Sequence, residues 1–173
     1  MLIYLQMIET NEDKSKFEEL YLAYRGLMYH VAYRYLQNEQ DAEDAVHHAF
    51  VKIAENIRII APVSPKTKQL VVTIVENRAI DVLRARGRHP EVEFSDEICH
   101  GISAEPGEDT LLLECIMKLP DRQRRVIWLK YYHGYTLREI AKMLNISLAW
   151  AQKIDQRAKK ELENLYTEGG GML

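Results

Sequence analysis

The sequence predicts an all-α protein in which two small helical domains are joined by a flexible acidic linker, the C-terminal domain being a helix-turn-helix. Apolar residues recur at three- and four-residue steps through both halves, and no segment shows a convincing strand pattern with a partner. Between the halves, residues 87–109 hold three Gly, two Pro and no sustained helical period. We therefore place the domains at 1–87 and 110–173 and the linker at 88–109.

Three helices are predicted in the N-terminal domain. The first carries apolar residues at helical spacing from Phe17 to Tyr35, and the second follows the polar segment QNEQ. The third should begin with Ser64 as its cap and Pro65 in its first position, and stop at Gly87. Its buried side is predicted to carry Leu70, Val71, Ile74, Ala79, Ile80 and Leu83, and its other side Lys66, Lys68, Asn77, Arg78, Asp81, Arg84 and Arg86.

The segment from Thr136 to Lys160 predicts two short helices joined by a tight turn. Thr136 and Glu139 have the spacing of a capping box, Asn145 tolerates the left-handed conformation, and Ser147 can cap the second helix. That helix should bury Ala151, Ile154, Ala158 and Leu162 and expose Gln152, Lys153, Gln156, Arg157 and Lys160. Such a face can hydrogen-bond to base edges and phosphates, although a solvated helical hairpin would show the same pattern.

The formal net charge of −3 hides two basic blocks. Residues 61–90 sum to +4 and residues 116–173 to +5, whereas residues 91–115 sum to −8. Basic blocks attract phosphate, which is the main sequence-independent source of DNA affinity. The opening MLIYLQMI is too short to span a bilayer, and Cys99 and Cys115 form no close pair. We therefore expect a reduced cytoplasmic protein that does not bind membranes.

Three blocks of the sequence, in order, carry a family resemblance: QDAEDAVHHAF, VVTIVENRAIDVLRARGR and LPDRQRRVIWLKYYHGYTLREIAKMLNIS. Together they resemble the bacterial sigma-70 family of RNA polymerase sigma factors, in the short extracytoplasmic-function form with regions 2 and 4 only. The resemblance implies a protein without catalysis, cofactor or metal. It also implies core RNA polymerase and promoter DNA as partners, and anti-sigma factors are usual in the group.

The resemblance also implies three sets of site residues. Polymerase binding would fall on Asp41, Glu43, Asp44 and Phe50. Binding and melting of the minus-10 element would fall on Lys66, Lys68, Asn77, Arg78, Asp81, Arg84, Arg86 and Arg88. Binding of the minus-35 element would fall on Ala149, Trp150, Gln152, Lys153 and Gln156 for base edges, and on Arg157, Lys159 and Lys160 for phosphates.

Two positions depart from the family pattern or allow a purely structural interpretation. Asn77 and Asp81 lie one helical turn apart, so a hydrogen bond that fixes the helix is the alternative to a DNA contact. Asp155 stands where the family usually has Leu. Its carboxylate would repel phosphate unless it accepts from cytosine or pairs with a nearby Lys.

Two other functions are considered. A stand-alone helix-turn-helix regulator would explain the C-terminal half but leave the N-terminal blocks unexplained. A metal-dependent enzyme is a remote alternative, because Asp44, His47 and His48 share helical steps that could form a ligand face. No second carboxylate–His pair is found to complete such a site.

Overall fold

The computed structural model describes residues 1–87 and 110–169, and all regular structure in these residues is helical. They belong to two compact units. We call residues 1–87 the N-terminal unit and residues 110–169 the C-terminal unit. The predicted linker 88–109, with Arg88 and Cys99, lies outside the described residues. The all-α fold with two helical clusters is confirmed.

The N-terminal unit contains four α-helices. They are α1 (Leu2–Leu5), α2 (Asn11–Leu36), α3 (Glu39–Glu55) and α4 (Pro65–Ala85), with a 3-10 turn at Ile57–Ile59. Local chemistry sets the helix starts, because the side chains of Thr10, Asn38 and Ser64 each accept a hydrogen bond from the backbone N–H three residues on. The predicted start of α4 at Ser64–Pro65 is therefore confirmed.

Helices α2, α3 and α4 pack around one core. Its fully buried side chains include Phe17, Leu20, Met28, Phe50, Ile53, Leu70 and Ile80. Helix α4 is more enclosed than its sequence pattern predicts, since every residue from 69 to 76 is buried. This stretch includes Glu76, whose carboxylate Oε1 accepts a hydrogen bond from the Tyr35 hydroxyl at 3.0 Å. The prediction of one buried side is wrong for the middle of α4, because α2 and α3 both pack against it.

A side chain of α2 also holds the beginning of α4. The Tyr24 hydroxyl donates to the Ser64 carbonyl oxygen at 2.9 Å and accepts from the Ser64 backbone N–H at 3.1 Å. Both backbone polar groups of the cap residue are thus satisfied by one phenol, so the α4 start is fixed against α2.

The C-terminal unit contains a second group of four helices. They are α5 (Thr110–Lys118), α6 (Asp121–Ile127), α7 (Leu137–Met143) and α8 (Leu148–Glu168), with a π-helical turn at Trp128–Tyr132. The buried apolar residues include Leu119, Val126, Ile127, Leu129, Ile140, Ala151, Ile154 and Ala158.

The predicted helix-turn-helix is formed by α7 and α8. Thr136 and Glu139 make the reciprocal capping box, Asn145 has φ 53° in the left-handed region, and Ser147 caps α8. All three local predictions are confirmed. Among the helices of the described residues, none is long and apolar enough to cross a membrane.

Candidate nucleic-acid interface

The outward face of α8 is a continuous polar stripe. Ala149, Gln152, Lys153, Gln156 and Lys160 are exposed at steps of three and four residues, so they lie along one side of the helix. Arg157, one turn after Lys153, is exposed beside them. The two Gln side chains offer amide donors and acceptors, and the three cations suit phosphate or guanine acceptors. The structure therefore brings together most of the residues predicted for duplex DNA.

Trp150 lies at the first turn of this helix and is only partly exposed. The Lys153 Nζ and the Arg157 Cζ each lie 6.0 Å from the centre of its ring. Since this is the outer limit of cation–π attraction, the ring adds only a weak attraction for the two cations in the basic part of the stripe.

Asp155 points away from that stripe and is 4% exposed. Its Oδ2 lies 2.8 Å from the Lys130 Nζ and 3.3 Å from the Lys159 Nζ. The alternative that Asp155 pairs with a nearby Lys is therefore confirmed. Lys159, which was predicted to bind phosphate, therefore forms an ion pair with a carboxylate of its own unit. Its hydrogen bonds to Tyr131 and then to Asp155 raise the pKa of Lys159.

The basic residues of α4 form two separate groups. Lys66 and Lys68 are exposed at its beginning, and Arg84 and Arg86 are exposed at its end. The buried stretch 69–76 separates them, and the 16 residues from Lys68 to Arg84 correspond to roughly 24 Å of helix. The predicted basic face is thus interrupted. The partly exposed Asn77, Arg78 and Asp81 lie between the two groups.

Asn77, Asp81 and Arg84 interact along α4. The Asn77 Nδ2 donates to the Asp81 Oδ2 at 3.4 Å, and the Arg84 Nη1 lies 3.9 Å from the Asp81 Oδ1. The predicted structural hydrogen bond is confirmed. It orients the Asn77 amide and the Arg84 guanidinium without removing them from the surface.

Arg86 and Asp41 were assigned to different partners but bind each other. The Arg86 Nη1 and Nη2 donate to the two carboxylate oxygens of Asp41 at 2.5 and 2.8 Å, which joins the end of α4 to the beginning of α3. These hydrogen bonds raise the pKa of Arg86 further above its ordinary value. Such a two-point contact neutralises both charges, so neither residue offers a full charge to a separate partner.

The acidic beginning of α3 therefore presents Glu43 and Asp44, which are both exposed. Phe50 is 0% exposed, and its ring centre lies 4.8 Å from that of Tyr21 and 5.9 Å from that of Phe17. The assignment of Phe50 as a polymerase contact needs correction. Its side chain belongs to the core, because its helical position faces α1 and α2.

A groove beside Glu43 was missed by sequence reasoning. It has a volume of about 590 Å³ and lies between α1, α2 and α3. It is lined by aromatic side chains and by two side chains of opposite charge. The aromatic ones include Tyr4, Tyr21, Tyr29 and His47, and the charged ones are Arg25 and Glu43. The available signal was the recurrence of Tyr21, Arg25 and Tyr29 at four-residue steps, which places them on one side of α2.

His47, one of the two histidines of α3, has a partner within the N-terminal unit. The Tyr4 hydroxyl and the His47 Nδ1 are hydrogen-bonded at 2.7 Å. Within residues 1–87 and 110–169, no group of three or more His, Cys, Asp or Glu side chains is placed to hold a metal ion. The Asp44, His47 and His48 set therefore receives no support as a metal site.

Family models match both units. The sigma-70 region 2 model matches residues 20–89, and the sigma-70 region 4 model matches residues 109–162. The region 2 match covers the N-terminal blocks that a stand-alone regulator leaves unexplained. Together the two matches include the surfaces of α3, α4 and α8 described above.

Similar proteins are found across most of the chain. The ECF RNA polymerase sigma factor SigW of Bacillus subtilis is 28% identical over 166 residues, covering 87% of this chain and 88% of that protein. SigK of Mycobacterium tuberculosis is 22% identical and covers 90% of this chain and 88% of its own. A solved structure of the sigma factor RpoE with the anti-sigma factor NepR from Bartonella quintana has a TM-score of 0.41 and 18% identity, covering 87% of this chain and 96% of that chain.

Proposed function

The chain belongs to the sigma-70 family, as an extracytoplasmic-function sigma factor with regions 2 and 4, and we propose that its surfaces divide the work of promoter recognition between them. As a sigma factor it is not an enzyme. It binds core RNA polymerase and promoter DNA and directs promoter-specific transcription initiation. We assign these contacts to individual residues below. We also propose that they are made in the cytoplasm.

The outward stripe of α8 reads the minus-35 element. The observation that carries this assignment is the capped α7–α8 pair, which exposes Gln152, Lys153 and Gln156 on one uninterrupted side. Gln pairs with adenine and Lys with guanine in the major groove, and the small side chain of Ala149 admits a thymine methyl. Arg157 and Lys160 hold phosphates and set the orientation of the helix.

The exposed parts of α4 bind the minus-10 region. Lys66 and Lys68 form one phosphate-binding group and Arg84 forms the other, with the partly exposed Arg78 between them. Asn77, held by Asp81, presents its amide between these two groups. A single strand released from a duplex needs positive charge along its backbone, and two spaced basic groups can follow it over several nucleotides.

Glu43 and Asp44 form the core of the polymerase-binding surface. Both carboxylates lie near the N-terminus of α3, and Glu43 also borders the groove that contains Arg25 and His47. Exposed acids attract Arg and Lys of a partner, and the aromatic groove beside them supplies apolar contact. Asp41 binds Arg86 and so joins the beginning of α3 to the end of α4. The buried Phe50 packs in the core beneath this surface.

Two double variants test the division of work. Glu43→Lys with Asp44→Lys should weaken the binding of core polymerase in a pull-down without DNA. Gln152→Ala with Lys153→Ala should leave that binding intact and change which sequences the holoenzyme selects from a pool of random duplexes. Glu163→Lys, a charge reversal at an exposed site on α8 beyond the stripe, is the matched control.

The assignment of surfaces fails if the α3 variant binds polymerase as well as the control does. It also fails if the α8 variant selects the same upstream sequence as the unmodified chain. Far-UV circular dichroism of every variant separates these results from a loss of folding.

A further inference from the structure

A buried carboxylate occupies the inner side of the helix that faces DNA. Asp155 is 4% exposed, and its neighbours one turn away on α8 are the buried Ala151 and Ala158. An apolar side chain would fit such surroundings at lower cost, because burying a charge is unfavourable unless it is paired. The presence of Asp155 therefore calls for an explanation in terms of its partners.

Its partners are two lysines from different elements. Lys130 belongs to the π-helical turn Trp128–Tyr132 and Lys159 to the next turn of α8, and both ammonium groups approach the same oxygen, Oδ2. Tyr131 completes the group, since its ring centre lies 5.0 Å from the Lys130 Nζ and 5.7 Å from the Lys159 Nζ. We call Asp155, Lys130, Lys159 and Tyr131 the internal lysine cluster.

Lys159 is the more exposed of the two lysines. Its side chain is 54% exposed, and it lies on the same helix as Arg157 and Lys160, which are assigned to phosphate. Without the carboxylate, its long flexible side chain could extend toward the DNA backbone. The ion pair with Asp155, four residues earlier, thus keeps the Lys159 side chain from extending toward the DNA.

We propose that Asp155 is a positioning residue that keeps Lys159 away from DNA phosphates and so limits the sequence-independent affinity of the minus-35 domain. The inference rests on the proposed function, in which α8 faces duplex DNA. A phosphate contact strengthens binding to every sequence equally. By holding Lys159, Asp155 leaves recognition to the Gln152, Lys153 and Gln156 side chains and keeps non-cognate binding weak.

The experiment measures the salt dependence of DNA binding. Holoenzyme reconstituted from core polymerase and the full chain is titrated onto a fluorescent duplex, at several salt concentrations and low temperature. The duplex carries an upstream sequence enriched from a random pool, and a second duplex carries the same bases scrambled. Asp155→Asn is compared with the unmodified chain, with Lys159→Gln, and with the double variant.

Asp155→Asn should steepen the salt dependence. Each added phosphate contact contributes a slope of about −0.9 in log K against log salt, which is roughly a threefold to fourfold larger loss of affinity between about 50 and 200 mM salt. We expect one such increment, from Lys159. Affinity for both duplexes should rise at low salt by the same factor. Lys159→Gln should change nothing alone and remove its increment in the Asp155→Asn background.

Three results separate the possible failures. If the pool yields no enriched upstream sequence, the proposed minus-35 function is wrong and this inference falls with it. If enrichment occurs but Asp155→Asn leaves the slope unchanged, only the inference is overturned. If Asp155→Asn does not fold, Lys159→Gln alone decides, because a slope reduced by about 0.9 would show that Lys159 already binds phosphate.

Discussion

Replacing Phe50 by Ala should destabilise the N-terminal unit strongly. The ring is fully buried and its centre lies within 6 Å of the ring centres of Tyr4, Phe17 and Tyr21. Truncation of a buried Phe to Ala costs about 3–5 kcal/mol, and the lost ring contacts favour the upper part of that range. Since a domain is typically stable by about 5–15 kcal/mol, we expect the loss of about a quarter or more of the free energy of unfolding.

The positions of the two tryptophans provide an internal control. Trp128 and Trp150, the only tryptophans in the sequence, both belong to the C-terminal unit. In urea titrations followed by far-UV circular dichroism, Phe50→Ala should lower the urea concentration at which the N-terminal unit unfolds. The unfolding midpoint followed by tryptophan fluorescence should not change. The more conservative Phe50→Leu fills more of the site, so it should cost less than Phe50→Ala and retain polymerase binding.

The reasoning would be refuted in either of two ways. A cost below about 1 kcal/mol for Phe50→Ala would contradict the core position of the ring. Loss of polymerase binding by a fully folded Phe50→Leu chain would instead return Phe50 to the interface, where the family resemblance first placed it.

Three further predictions concern local features of the two units. Thr136→Ala should lower the urea midpoint of tryptophan fluorescence by an amount equivalent to about 1 kcal/mol, because the capping box with Glu139 is lost, whereas Thr136→Ser should preserve it. Burial raises the pKa of Tyr135 to about 12, so the unfolded chain loses its proton first and the C-terminal unit should lose stability as pH rises from 10 toward 12. Tyr135→Phe should flatten that decline in fluorescence-monitored unfolding, and an unchanged decline would contradict it. Desolvation, followed by the charge of Arg78, lowers the pKa of His48, so the N-terminal unit should lose stability as pH falls below about 6.5, where the unfolded chain binds the proton first. His48→Gln should reduce that loss in circular dichroism melts, and equal melts at acid pH would show that His48 makes no difference.

Helix boundaries were predictable because short-range chemistry sets them. Ser64 followed by Pro65, Thr136 with Glu139, and Asn145 each act on backbone groups within a few residues. The fold class follows from the same local patterns. Three sequence blocks in order then carried the family, and with it the general function.

The contacts within each unit were less predictable, because they join residues far apart in sequence. Asp41 and Arg86 are 45 residues apart, and Lys130 and Asp155 are 25 apart. The family pattern assigned Asp41 and Arg86 to external partners, since it contains no information about pairing within the chain. Periodicity likewise placed one buried side on α4, whereas burial of Gln69 and Glu76 depends on helices packing from two directions.

The contact between Tyr24 and Ser64 has a consequence for the order of folding. Formation of a helix from its own cap is usually a local event, but here the cap residue's backbone is completed by a phenol 40 residues earlier. The local cap of α4 can form on its own, but its fixed position against α2 should be reached late, after the intervening loop has closed. During synthesis, the helix assigned to the minus-10 region would gain its fixed beginning only once it has docked against α2.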